Sequence, residues 1–268
     1  MTLSLLPSAR APEELHPALW RAHQLACPRE AVVPSGYAEL DAQLPGGGWP
    51  ARVLTELLLP HPGVGELRLL APVLAALQRQ QRSLMWFDPP ASPCAWALAA
   101  LGLDLRQLVV VRARHEPKGV RAVARTPQRL PAADTLWALE HALKSGHLGA
   151  VLAWLPARLP ADALRRLQLA AQGHDGPVFL LREMQVHTRQ GAAAMIPPSA
   201  APLRLRLASA GPDLLRVALI KRRGPPLAQP LTLALAPVLS APALARASRR
   251  AAPAWAGAQA AAHGALSP

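Results

Sequence analysis

The sequence predicts an α/β fold: a mostly parallel sheet with helices on both faces, antiparallel strands at its C-terminal end, and a disordered tail. Two observations carry that prediction. Continuous apolar runs at about Arg82–Asp88, Leu108–Arg112, Leu148–Trp154 and Val178–Arg182 are separated by helical stretches at Ser92–Leu101, Ala132–Ser145 and Pro160–Gln172. Strands that are apolar throughout and alternate with helices belong to a parallel sheet covered on both sides. Beyond residue 200 the pattern changes to alternation in Leu203-Arg204-Leu205-Arg206-Leu207 and in Leu215–Ile220, on either side of Ser209-Ala210-Gly211-Pro212-Asp213. Period two across a turn signal is an antiparallel pair.

In chain order, Glu13–Leu25 places Leu15, Leu19 and Trp20 on one side of a short helix that ends near Pro28. Residues 33–50 read as a short helix followed by the glycine-rich turn Gly46-Gly47-Gly48-Trp49-Pro50, leading into a strand at Arg52–Leu59. A Pro/Gly loop and a helix from Gly65 to about Gln80 come next. A third C-terminal strand is expected at Leu231–Leu235, after which the chain turns Ala/Pro-rich with Arg246, Arg249, Arg250 and Trp255. The expected division is an N-terminal helical segment (1–30), a core (31–236) and the tail (237–268).

With 51% of 268 residues hydrophobic, there is ample material for a core. No apolar run reaches membrane-spanning length, and Met1–Arg10 is too weakly apolar for a signal peptide, so the chain reads as cytoplasmic. Cys27 and Cys94 lack metal-ligand spacing and read as reduced structural thiols; no metal site is expected. The formal charge of +13 comes from two segments, 104–129 with a surplus of five and 201–268 with a surplus of eight. Such clustering suits a polyanion or an acidic partner, and would place the chain at the nucleoid; it equally suits solubilisation of an Ala/Leu/Pro-rich chain. Arg112, Arg114, Lys118, Arg121, Arg125 and Arg129 have no interleaved aromatics, which limits them to phosphate contact rather than base readout.

The stretch Pro60-His61-Pro62-Gly63-Val64-Gly65-Glu66-Leu67 stands between a strand and a helix, the setting of a phosphate-binding loop. In G-x-x-x-x-G-K-[ST], the lysine reaches the β/γ-phosphates and the hydroxyl holds Mg²⁺. Here Pro60 takes the first glycine's place, and Glu66 and Leu67 take those of the lysine and hydroxyl. A carboxylate repels polyphosphate and leucine ligates no metal, so no cofactor is expected. His61 is the one histidine placed for chemistry, and no neighbouring Ser, Cys or carboxylate makes a triad with it. Glu56 reads as a strand-end residue.

The order of these features resembles the RecA recombinase core over about residues 33–235. Pro34–Asp41 followed by Gly46–Glu56 looks like that family's entry into its loop, Trp86-Phe87-Asp88 with Ala97–Leu108 like its next strand and helix, and Val217–Arg223 like its terminal strand and basic tip. By that correspondence Pro90 replaces the water-activating glutamate and Trp154 stands near the Walker B aspartate. Lys221, Arg222 and Arg223 would face a neighbouring subunit or DNA, and Met184–Ala200, with His187 and Arg189, would be the DNA-contacting loop. Among degenerate chains of this kind, the length, the Gly-Gly-Gly-Trp-Pro turn, Phe87/Asp88, Phe179–Glu183 and Lys221–Gly224 are similar to ImuA. That resemblance implies a non-catalytic scaffold of damage-inducible translesion synthesis, partnered by ImuB, an error-prone DnaE-type polymerase, RecA and, secondarily, DNA. The alternatives are a SulA-like division inhibitor that binds FtsZ, and a RecA-like ATPase with a non-standard loop.

Overall fold

The computed structural model describes residues 31–112, 132–160, 162–184, 199–224 and 229–237. The expected N-terminal helix, Cys27, Arg114, Lys118, Arg121, Arg125, Arg129, His187, Arg189 and the tail from residue 238 lie outside them. The elements are β1 (Val32–Val33), α1 (Ala38–Asp41), β2 (Trp49–Pro50), β3 (Leu54–Leu59), α2 (Glu66–Arg79), β4 (Ser83–Phe87), α3 (Ala95–Ala100), β5 (Leu108–Val111), α4 (Ala132–Lys144), β6 (Leu148–Leu155), α5 (Ala163–Ala171), β7 (Val178–Glu183), β8 (Leu203–Gly211), β9 (Leu214–Lys221) and β10 (Leu231–Ala234).

Eight strands form one sheet in the order β10-β9-β8-β3-β7-β6-β4-β5. The six from β8 to β5 run parallel to one another, while β9 and β10 are antiparallel additions. β1 and β2 make a separate antiparallel ribbon. That ribbon has only two residues per strand, too few to show any periodicity in the sequence. Alternate residues of each central strand point to opposite faces. One core cluster joins Leu57, Trp86, Leu152, Phe179 and Leu205 to α2; the other joins Leu54, Val151, Ala153 and Leu180 to α4 and α5. Burial on both faces explains why the central strands read as unbroken apolar runs.

Helix α2 carries Pro72 in its interior. A proline there cannot donate to the carbonyl four residues back, which orphans the Arg68 carbonyl oxygen. The Tyr37 hydroxyl donates to that oxygen at 3.2 Å and replaces the missing bond.

Glu56 is not a strand-end residue. It stands in the middle of β3, fully buried, opposite Arg204 on β8 and Leu180 on β7. Arg182 Nη1 donates to its Oε1 and Arg204 Nε to its Oε2. Arg182 also donates to the Ala157 and Pro156 carbonyls, tying the end of β6 to β7. A buried carboxylate is costly unless paired and hydrogen-bonded, and the two guanidinium groups supply both.

At the opposite end of the sheet His174 is fully buried, with neither ring nitrogen partnered among the described residues. Gly176 is required beside it, because a Cβ there would lie 1.9 Å from the Gly149 oxygen. Burial, reinforced by the Arg82 guanidinium and opposed by Asp175, lowers the His174 pKa to about 4. No described helix is long and apolar enough to cross a membrane.

Two predictions follow from this packing. Glu56→Ala removes the carboxylate that two buried guanidinium groups share and is expected to cost about 3–5 kcal/mol in urea unfolding; a loss under about 1 kcal/mol would refute the buried-pair assignment. Below the ordinary histidine pKa of 6.5 the unfolded chain takes up a proton that folded His174 refuses, so stability falls as pH drops from about 6.5 to 4. The loss is up to about 3 kcal/mol, and His174→Leu should flatten the slope in urea midpoints measured across that range.

Candidate functional site

The carboxyl ends of β3, β4 and β6 surround a cavity of about 460 Å³. In open α/β sheets this crevice is where ligands bind. Its floor includes Trp86 and Trp154, packed edge-to-face with ring centroids 5.7 Å apart. One wall is the loop after β3, and the other is the proline-rich turn after β4 together with α3.

The loop after β3 is shaped by Gly63 and Gly65, both at positive φ (+88° and +115°). At Gly65 a side chain would also meet Leu235 Cδ1 at 2.9 Å. The amides of the loop are turned inward, the arrangement that makes an anion-binding concavity at a helix N-terminus. The anion found there is the chain's own. Gly63 N–H donates to both carboxylate oxygens of Glu66 (2.8 and 3.1 Å), and Gly65 N–H donates to Oε2 at 3.1 Å. Glu66 opens α2 and is 4% exposed, where a carboxylate also complements the positive end of the helix. Leu67 follows it in the cavity lining, and Pro60 closes the strand end half-buried.

Pro90 and Trp154, expected at catalytic positions, both line the cavity. His61 is exposed, and its Nδ1 lies 3.0 Å from the Pro62 carbonyl oxygen. No group of three metal-ligating side chains occurs among the described residues. Cys94, read as a reduced structural thiol, is a free thiol exposed at the cavity wall.

Several basic residues expected at a DNA or partner surface make hydrogen bonds within the fold. Arg112 donates to the Pro89 carbonyl (2.8 Å) and to Ser92 Oγ (2.9 Å), bracing the turn that walls the cavity. Lys221 donates to the Ser199 carbonyl at 3.2 Å, and Arg222 to the Gln43 carbonyl. Arg223 is exposed beside them and also has an interaction within the chain. Arg204, counted in the C-terminal charge surplus, is buried against Glu56.

A family model for the cell division inhibitor SulA matches residues 53–176, from the entry to β3 to the turn before β7. The chain is 30% identical over 132 residues to cell division inhibitor SulA of Edwardsiella piscicida, covering 49% of this chain and 66% of that protein. It is also 30% identical over 117 residues to SulA of Yersinia pestis (strain Pestoides F) and of Yersinia pseudotuberculosis serotype O:1b, covering 44% of this chain and 60% of each. The chain thus spans about three fifths to two thirds of the length of these relatives.

These findings overturn the ImuA resemblance, and with it the translesion-synthesis role and the partners ImuB, DnaE-type polymerase, RecA and DNA. The physical reason lies in the residues that carried it. Trp49 of the Gly-Gly-Gly-Trp-Pro turn packs edge-on against Phe179 at 5.2 Å, Arg182 belongs to the Glu56 cluster, and Lys221 and Arg222 hold backbone carbonyls. Such features build a core and do not distinguish one function from another. The turn itself, Phe179–Glu183 and Lys221–Gly224 also lie outside the matched stretch, while Phe87/Asp88 and the strand after the turn lie inside it.

Removing the Glu66 carboxylate should release the loop amides. In Glu66→Ala, hydrogen exchange at Gly63 and Gly65 is expected to rise roughly tenfold or more, since bonds to a charged acceptor are worth about 1.5–3 kcal/mol. Unchanged exchange at both amides would rule out the carboxylate as their acceptor.

Proposed function

We propose that this chain is a SulA-like inhibitor of cell division that works by binding a protein, FtsZ, and performs no chemistry of its own. The observation that carries the reading is the match to the SulA family model over residues 53–176. That stretch contains the Glu66 loop, the proline-rich turn and both tryptophans of the cavity floor. The relatives named cell division inhibitor SulA support it across the same part of the chain.

The site chemistry is consistent with a binding role. Phosphoryl transfer needs a cation and metal on the phosphates and a group that orients the nucleophile. The corresponding places here hold Glu66, Leu67, Pro90 and Trp154, and the Glu66 carboxylate already takes the amides of Gly63 and Gly65. On this reading the loop is a structural corner that sets the start of α2, and inhibition is stoichiometric. Action in the cytoplasm, as part of a DNA-damage response that delays division, belongs to the same proposal.

The test is FtsZ assembly with GTP, followed by light scattering and pelleting. The purified chain should reduce FtsZ polymer at roughly equimolar ratio, without ATP. Undiminished polymer at about tenfold excess of the chain would refute the proposal.

A further inference from the structure

The cavity at the carboxyl ends of β3, β4 and β6 is lined mainly by apolar side chains. Its 460 Å³ falls among volumes typical of small-molecule sites. The buried indoles of Trp86 and Trp154 back the floor, and the walls present Leu67, Leu98 and several prolines. Aromatic rings pack well against indole faces and edges.

The charged groups around it argue against an anion. Among the described residues of the lining, Glu66 is the one charged side chain, and it places a negative charge there while occupying the Gly63 and Gly65 amides that would otherwise bind phosphate or carboxylate. Arg112, behind the proline-rich turn, spends its guanidinium on the Pro89 carbonyl and Ser92 Oγ rather than on the cavity. An anionic ligand would meet a carboxylate and, among the described lining residues, no cationic side chain, and burying a charge in that setting is costly.

We propose that this cavity binds a neutral aromatic small molecule of about two or three rings, with Glu66 as the residue that excludes anionic ones. The proposal concerns a small-molecule site and does not rest on the division-inhibitor reading.

Two dyes with one skeleton test it. N-phenyl-1-naphthylamine is neutral, and 8-anilinonaphthalene-1-sulfonate carries an added sulfonate. On a chain of net charge +13, adventitious surface binding favours the sulfonate. The proposal requires the reverse: one site for the neutral dye, with fluorescence enhancement and affinity roughly tenfold or more above that of the sulfonate. Ala97→Trp, at an exposed position of α3 that lines the cavity, should weaken the neutral dye roughly tenfold by filling the space. If Ala97→Trp lowers the thermal midpoint, Ala91→Trp from the proline-rich turn, also exposed, provides the same occlusion. No binding of the neutral dye, equal or better binding of the sulfonate, or full neutral-dye affinity in a folded tryptophan variant would each overturn the proposal.

Discussion

The pairing of Glu56 with Arg182 and Arg204 sets the frame for the rest of the fold. These residues stand on three neighbouring strands, β8, β3 and β7, on one face of the sheet. A slip of one residue in β3 would turn Glu56 to the other face and strand three buried charges. The cluster therefore fixes register where apolar side chains of similar size could slide past one another. Because Arg182 also holds the Pro156 and Ala157 carbonyls, the same cluster sets how β6 ends, and with it the height of Trp154 under the cavity.

The loop after β3 inherits its position from that register. Its inward-turned amides create a demand for negative charge, and Glu66 meets the demand from within the chain. The local consequence is a rigid corner at the start of α2. The functional consequence is a crevice in the usual ligand position of an α/β sheet whose phosphate-binding capacity is already used. What is left is an apolar space between two prolyl walls, floored by tryptophan.

Much of the fold was legible in the sequence because its signals are local. Apolar runs such as Val151–Leu155 and Phe179–Leu181 announce buried strands, and the turn at Gly211-Pro212-Asp213 announces the β8–β9 hairpin. The site was legible in part: the loop, with Glu66 and Leu67 following Gly65, could be read directly. The inward fold of Glu66 could not, because a glutamate in the first turn of a helix is an ordinary capping signal. The roles of Glu56 and Arg204 were also out of reach, since they lie 148 residues apart in sequence and meet through sheet pairing. The carbonyl contacts of Arg112 and Arg222 were hidden for the same reason: net charge counts an arginine without showing the carbonyl it faces. The family assignment went astray because residues such as Trp49, Phe179 and Arg182 make contacts that hold the fold together, while the SulA family model matches residues 53–176.

The most direct test is calorimetric titration of the wild-type chain with ATP and Mg²⁺. With Glu66 seated on the amides of Gly63 and Gly65, no binding tighter than about 0.1 mM, roughly −5.5 kcal/mol, is expected. A saturable, Mg²⁺-dependent site below that concentration would contradict a loop closed by its own carboxylate.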